Sequence, residues 1–337
     1  MPILSVLDQS PIRHGATPAD ALRETLALAE AADRLGYHRY WLAEHHNSQG
    51  LAGTAPEIMI GQVAARTRNL RVGSGGVMLS HYSALKVAES FRLLEALYPG
   101  RIDLGIGRAP GSDGLTAAAL QHGPGALGIE QFPAQIRDVI GYLHDDLPDG
   151  HPFRQIQAMP RIETQPELWL LGSSDQSAAY AAHFGCAFSF AHFINHQGGE
   201  HVMRGYRHHF QPSESLAAPA GGIGVFCVCA ETEAEADRLR ACRELWMLRL
   251  ARGELRAFPT AEEALAQNYS PRERAFLDHQ AGRTISGTPA QVRHRLLALG
   301  REYEVDEFVV VTICADFEAR LRSYELLAAA FGLTARG

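Results

Sequence analysis

Residues 3–43, ILSVLDQSPIRHGATPADALRETLALAEAADRLGYHRYWLA, carry one full period of the pattern that decides the fold. Ile3-Leu4-Ser5-Val6-Leu7 is a short apolar run that reads as a buried strand. From Pro18 to Leu35 the spacing changes: Leu22, Leu26 and Ala29 recur at helical intervals until Gly36 ends the segment. Tyr40-Trp41-Leu42-Ala43 then opens a second apolar run, so the order is strand, helix, strand.

The same order repeats outward from this stretch. Ala55 to Thr67 predicts a second helix, Leu70-Arg71-Val72-Gly73 a third strand and Ala84 to Leu97 a third helix. Ile102-Asp103-Leu104-Gly105 is a fourth strand, followed by a glycine-rich stretch from Ala109 to Gly128 and a helix from about Ile129 to Leu147. Leu168 to Leu171, Ala187 to Phe190 and Ile223 to Val228 supply strands five to seven, and Phe308 to Val311 the eighth. Strands that are apolar without alternation are buried on both faces, as in parallel sheets. Eight such β/α units close most naturally into a (β/α)₈ TIM barrel, with a doubly wound open sheet as the rival. The expectation is one α/β domain over residues 1–337, with insertions at about 109–128 after strand four and 253–285 before the last unit.

Composition narrows the function. Of 337 residues, 46% are hydrophobic and 20% charged, enough apolar side chain for a large core. The formal charge of −7 is spread along the chain without a basic run that would track phosphates, so nucleic acid is not an expected partner. Five cysteines form no C-x-x-C pair, and the N-terminal apolar run lacks a basic preamble. No stretch reaches the roughly 20 apolar residues of a membrane span. A cytoplasmic location, away from membranes, is expected.

In a barrel, chemistry resides where strands end and βα loops begin. After strand two stand Glu44-His45-His46-Asn47, an acid and two imidazoles suited to proton transfer near neutral pH. Adjacent strand residues point to opposite sides, so one His is expected to face inward. The pair lacks the H-x-H alternation of converging ligands, and no metal is expected. After strand three, Gly73-Ser74-Gly75-Gly76 permits either a close approach by something flat or tight barrel-corner packing. Ser80-His81-Tyr82-Ser83 reads as a helix cap. Arg108, among glycines after strand four, offers a guanidinium fork for a phosphate or carboxylate, or else a surface ion pair. Gly172-Ser173-Ser174-Asp175-Gln176-Ser177 gathers hydroxyls and backbone N–H groups at a helix start, equally a monophosphate seat and an ordinary cap. Thr288-Pro289-Ala290-Gln291 is a capping box.

Laid in order, three segments resemble the bacterial luciferase-like monooxygenases: Trp41-Leu42-Ala43-Glu44-His45-His46, Val72-Gly73-Ser74-Gly75-Gly76, and Gly100-Arg101-Ile102-Asp103-Leu104-Gly105-Ile106-Gly107-Arg108. The likeness runs over essentially the whole chain, from Leu4-Ser5-Val6-Leu7-Asp8 to Ile285-Ser286-Gly287-Thr288-Pro289. It implies a barrel that binds reduced FMN, or in some branches F420, at the C-terminal ends of the strands. His45 matches the family's active-site histidine, with Glu44 expected to orient or charge it. Gly75-Gly76 matches a bulge where a non-prolyl cis peptide supports the flavin ring. Arg108, Ser174 and Ser177 match the positions that hold the flavin phosphate. Ser173, counted with them, stands where luciferase proper has an acid, a departure in the phosphate seat.

The implied function is a monooxygenase supplied with reduced FMN by a separate NAD(P)H:flavin reductase. It would use O₂ to oxygenate a small, apolar organic substrate, with 109–128 as a gate over the cavity. A homodimer through barrel helices is also implied. The alternatives are an F420-dependent hydride-transfer oxidoreductase on the same barrel, a non-catalytic flavin-binding protein and, more remotely, a metal-dependent barrel hydrolase.

Overall fold

The computed structural model describes residues 2–108, 113–121, 128–254 and 256–335. Its elements are β1 (Ile3–Asp8), α1 (Pro18–Leu35), β2 (Arg39–Leu42), α2 (Pro56–Arg66), β3 (Arg71–Ser74), β4 (Val77–Met78), α3 (Ala84–Leu97) and β5 (Ile102–Gly107). There follow α4 (Gly114–Leu120), α5 (Phe132–His144), β6 (Glu167–Gly172), α6 (Asp175–Phe184), β7 (Ala187–Ala191), α7 (Gly199–His209), β8 (Gly221–Cys229) and α8 (Glu233–Ala251). The last are α9 (Ala261–Leu265), α10 (Pro271–Gln280), β9 (Thr284–Gly287), α11 (Pro289–Tyr303), β10 (Glu307–Val311) and α12 (Phe317–Phe331).

Strands β1, β2, β3, β5, β6, β7, β8 and β10 pair in parallel, each with the next, and β10 pairs with both β8 and β1. That last pairing closes the ring, so the fold is a TIM barrel and the open-sheet alternative falls. Two strands unforeseen in the sequence lie off the ring: β4 pairs with β5, and β9 with the C-terminal half of β8. The stretch 253–285, expected as an irregular excursion, contains α9 and α10, each capped by the hydroxyl of Thr260 or Ser270. In the other expected insertion, α4 is described, whereas 109–112 and 122–127 lie outside the described residues.

Local signals account for the helix ends. Thr17 and Asp20 form a reciprocal capping box around Pro18 at the start of α1, and Gly36 ends it with φ of 87°. The capping box predicted at Thr288 and Gln291 opens α11.

The strands alternate between two environments. Leu4, Val6, Tyr40, Leu42, Val72, Leu104, Phe188, Val225 and Val310 pack outward against the helices. The inward positions stack in layers. The lowest is ionic: Arg39 reaches Asp103 at 2.9 Å, Glu307 at 2.9 Å and Glu167 at 3.0 Å, and Ser5 donates to Glu307 at 2.7 Å. Burial opposes the Arg39 charge, but its carboxylate partners outweigh burial and raise its pKa. Above this layer Trp41 and Trp169 meet edge to face, centroids 5.2 Å apart. Their indole N–H groups donate down to Asp103 at 2.9 Å and Glu167 at 2.8 Å. The ionic layer thus anchors the aromatic layer on which the cavity rests.

Candidate active site

A cavity of about 300 Å³ opens at the C-terminal ends of the strands. That is at the lower end of the size range of small-molecule sites. Its floor is Leu7, Trp41, Ser189, Gly224 and Val309, supplied by five different strands. Phe193 and Ile194, on the loop after β7, form one wall.

His45 lines this cavity and His46 does not. The alternation of an extended chain explains this: His45 points one way, Glu44 and His46 the other. His45 Nδ1 is buried without a hydrogen-bond partner among the described residues. Burial, aided by the neighbouring His46, pulls the His45 pKa down to about 4, so the imidazole is neutral at physiological pH.

Glu44 also borders the cavity, but its carboxyl does not serve His45 as expected. Oε1 accepts from Tyr82 Oη at 2.6 Å and from His46 Nε2 at 2.8 Å, while Oε2 accepts from the Met78 N–H at 3.0 Å. Glu44 is therefore a hub that ties β4 and the following turn to the end of β2. Burial and the bond to Glu44 raise the Tyr82 pKa, which keeps its proton on the phenol. The sequence alone places Tyr82 only within a helix cap. The cap reading itself is corrected: Ser83 occupies the N-cap of α3 without a side-chain capping bond, and Leu79 to His81 form a 3₁₀ turn.

The Gly75–Gly76 peptide bond is cis. The corner leaves no room for a side chain at Gly76, which packs against backbone, and leaves room at Gly75 only if the end of the Leu7 side chain moves. A Cβ on Gly76 would lie 2.6 Å from the Gly105 carbonyl oxygen, and one on Gly75 would lie 2.4 Å from Leu7 Cδ1. The bare backbone of both residues lines the cavity next to His45.

On the rim, Arg108 and Ser173, Ser174 and Ser177 come together around the start of α6. Ser174 is the N-cap of that helix, and its hydroxyl lies 3.3 Å from that of Ser177. The Arg108 guanidinium hydrogen-bonds Gln176 Oε1, whose amide nitrogen donates to Tyr180 at 2.8 Å. Gln176 was not singled out in the sequence; its place between Ser174 and Ser177 was the available signal. A helix N-terminus, three hydroxyls and a guanidinium make a donor-rich seat beside an apolar cavity, with the Asp175 carboxylate in the first turn of the same helix.

Residues 3–307 match the family model described as luciferase-like monooxygenase. The Bacillus subtilis protein YwcH is 49% identical over 97% of this chain and 98% of its own. The N-acetyl-S-alkylcysteine monooxygenase of the same organism is 40% identical over 96% of each chain. Among solved structures, apo-MsnO8 superposes with a TM-score of 0.91 at 41% identity over 100% of both chains. Two structures share the fold alone. They are the FMN complex of the oxygenating constituent of 3,6-diketocamphane monooxygenase from Pseudomonas putida, at TM-score 0.69 and 17% identity, and an F420-dependent secondary alcohol dehydrogenase, at 0.70 and 13%. With the family model matched across the barrel and close relatives aligned end to end, the chain belongs to the luciferase-like monooxygenase family.

Proposed function

We propose that this protein is a flavin-dependent monooxygenase that takes reduced FMN from a separate NAD(P)H:flavin reductase and uses O₂ to oxygenate a small organic substrate with an apolar body. The observation that carries this reading is the meeting, in one cavity, of an apolar floor, a buried neutral imidazole and a rim of hydrogen-bond donors with the Arg108 guanidinium among them.

The residues present fit the cofactor. Arg108, Ser173, Ser174, Ser177 and the first N–H groups of α6 would hold the phosphate, and Gly75 and Gly76 would present bare backbone to the ring. The orphaned Nδ1 of His45 lacks a partner that a polar ring edge or substrate would provide. Reduced FMN would supply the electrons that activate O₂ for transfer of one oxygen atom to the substrate. The protein's own contribution is placement and exclusion of water. Trp41, Leu7 and Val309 give a dry floor, in which an imidazole near its neutral form can take or return a proton at Nδ1. Glu44, through Met78, Tyr82 and His46, holds the adjoining turn and is a positioning residue for the Gly75–Gly76 corner.

No helix among the described residues is long and apolar enough to cross a membrane, and all five cysteines are free, which supports a cytoplasmic enzyme. Ile58 on α2 and Leu93 and Leu97 on α3 are exposed by 67%, 54% and 61%, an apolar face that supports a homodimer through these helices.

The test is reductase-coupled turnover under ¹⁸O₂ with FMN and NADH, across thioether, ketone and aldehyde substrates. One ¹⁸O atom in an organic product, absent with His45→Ala, is the expected result. NADH consumption yielding only hydrogen peroxide with every substrate would favour a flavin-binding protein without oxygenase chemistry.

A further inference from the structure

The order of strands around the ring divides the cavity in two. The Gly75–Gly76 backbone and the donor seat at Arg108 and Ser174 stand on the β3–β5–β6 side. Across from them, the arc β7–β8–β10–β1 contributes Ser189, Phe193, Gly224, Val309, Leu7 and Gln9. Of the cavity-lining side chains on this arc only Ser189 and Gln9 are polar, and none is charged. The arc is recessed because its inward positions are small. On β7, Phe188 and Phe190 point out into the helix layer and leave Ala187, Ser189 and Ala191 inside. On β8 the adjoining inward positions are Gly222 and Gly224. The chain after β7 turns back over the recess: the Phe193 N–H donates to the Gly224 carbonyl at 3.2 Å, and a Cβ on Gly224 would meet the Phe193 ring at 2.9 Å.

Ser189 is 5% exposed, and its hydroxyl has no hydrogen-bond partner among the described residues. The other buried serines of the ring strands are paired: Ser5 donates to Glu307 at 2.7 Å and Ser74 to the Gly105 carbonyl at 2.8 Å. Alanine packs at both neighbouring inward positions of β7, so the Ser189 hydroxyl is not needed to fill space, and leaving it unpaired is costly. Gln9, half-buried just beyond the end of β1, likewise has a side-chain amide without a partner among the described residues. Two neutral donors thus face one apolar recess from its two ends. An ion placed between them would lose its water without gaining a counter-charge, whereas an uncharged oxygen would satisfy both.

We propose that Ser189 and Gln9 hold the organic substrate by hydrogen bonds to an uncharged acceptor oxygen on it, while its apolar remainder lies against Phe193, Gly224 and Val309. This rests on the reading of the cavity as the reaction site. It adds to that reading two substrate-binding residues and a place for the substrate, across the cavity from Gly75 and Gly76. A site built to hydrogen-bond one oxygen rejects an analogue that lacks it, because its own polar groups are then left unpaired.

The test is an NMR titration of the flavin-free protein, repeated anaerobically with reduced FMN, that compares hexan-2-one with 1-chloropentane, a similar chain without an acceptor oxygen. The ketone is expected to bind tenfold or more tightly. Ser189→Ala is expected to cut that preference to threefold or less, with the affinities for 1-chloropentane and reduced FMN unchanged and Tm unchanged or raised, which a merely structural serine would not give. Gln9→Leu is expected to cut the preference severalfold, and it decides the matter should Ser189→Ala fail to fold. Equal binding of the two probes, or of neither, would overturn the proposal, as would a ketone preference that survives both variants. Loss of reduced-FMN affinity in Ser189→Ala would also overturn it, by making the serine a flavin contact. Should reduced FMN bind to no form of the protein, the flavin reading falls and the flavin-free titration still decides this one.

Discussion

Glu44 offers the sharpest test of how the site is held. In Glu44→Ala three donors lose their acceptor: the Met78 N–H, the Tyr82 hydroxyl and His46 Nε2. Met78 is buried and cannot turn to water, so its orphaned N–H costs about 1–3 kcal/mol. Tyr82 and His46 are only half-buried, and each adds about 1 kcal/mol. The sum is about 3–5 kcal/mol. For 337 residues the unfolding entropy is roughly 0.7 kcal/mol per degree, so Tm falls by about 4–7 °C. Glu44→Gln behaves differently. Its amide oxygen can accept from Met78 while its NH₂ group faces Tyr82 Oη and His46 Nε2, both able to accept. The loss is then mainly charge assistance, about 1 kcal/mol or 1–2 °C. Calorimetric unfolding of both variants, with reduced-FMN titration alongside, checks this. Glu44→Ala should lose affinity about tenfold through the displaced Met78 turn, and Glu44→Gln little. Equal Tm losses in the two variants would refute the hub, as would a Glu44→Ala protein that melts with wild type.

Other consequences are as direct. His45 and His192 each have a folded pKa of about 4 against 6.5 when free, so the unfolded chain binds more protons between those values. Stability is therefore complete above pH 6.5 and falls as pH drops toward 4; urea unfolding against pH should show this acid limb flattened by about 2–3 kcal/mol in His45→Gln. Arg108→Ala should weaken reduced-FMN binding by about tenfold to a hundredfold, the worth of a charge-assisted phosphate contact, without moving Tm by more than a degree or so. Gly76→Ala, whose methyl would press on the Gly105 carbonyl oxygen, should cost at least about 1–3 kcal/mol. Gly205→Ala, in the interior of α7 with nothing within 4 Å, should stabilise by about 0.5–1 kcal/mol in the same melts.

The barrel was legible because each of its eight strands is an apolar run bounded by a helix-spaced segment, as in β1, α1 and β2. What escaped was small or off the ring. Val77–Met78 is too short to read as a strand, and Thr284–Gly287 carries one large apolar side chain, Ile285. The ionic layer was hidden because Asp103 sits inside an otherwise apolar run, and its partners Arg39 and Glu307 stand far away in sequence. At the site, the rule that strand ends carry chemistry led to His45, Arg108 and Ser174, which the cavity brings together. Glu44 was given the wrong neighbour. Alternation along an extended chain already pairs residue 44 with 46, but Tyr82, 38 positions on, can be placed only by the closed barrel.

Whether the cavity is a flavin site is decided by anaerobic titration of the purified protein with reduced FMN and, in parallel, reduced F420, followed by rapid mixing of the tighter complex with O₂. Tight binding of reduced FMN is expected, weakened in Arg108→Ala, with oxidation by O₂ whose kinetics change in His45→Ala. Preference for F420 with no reaction toward O₂ would mean hydride transfer instead, and binding of neither would contradict the flavin reading altogether.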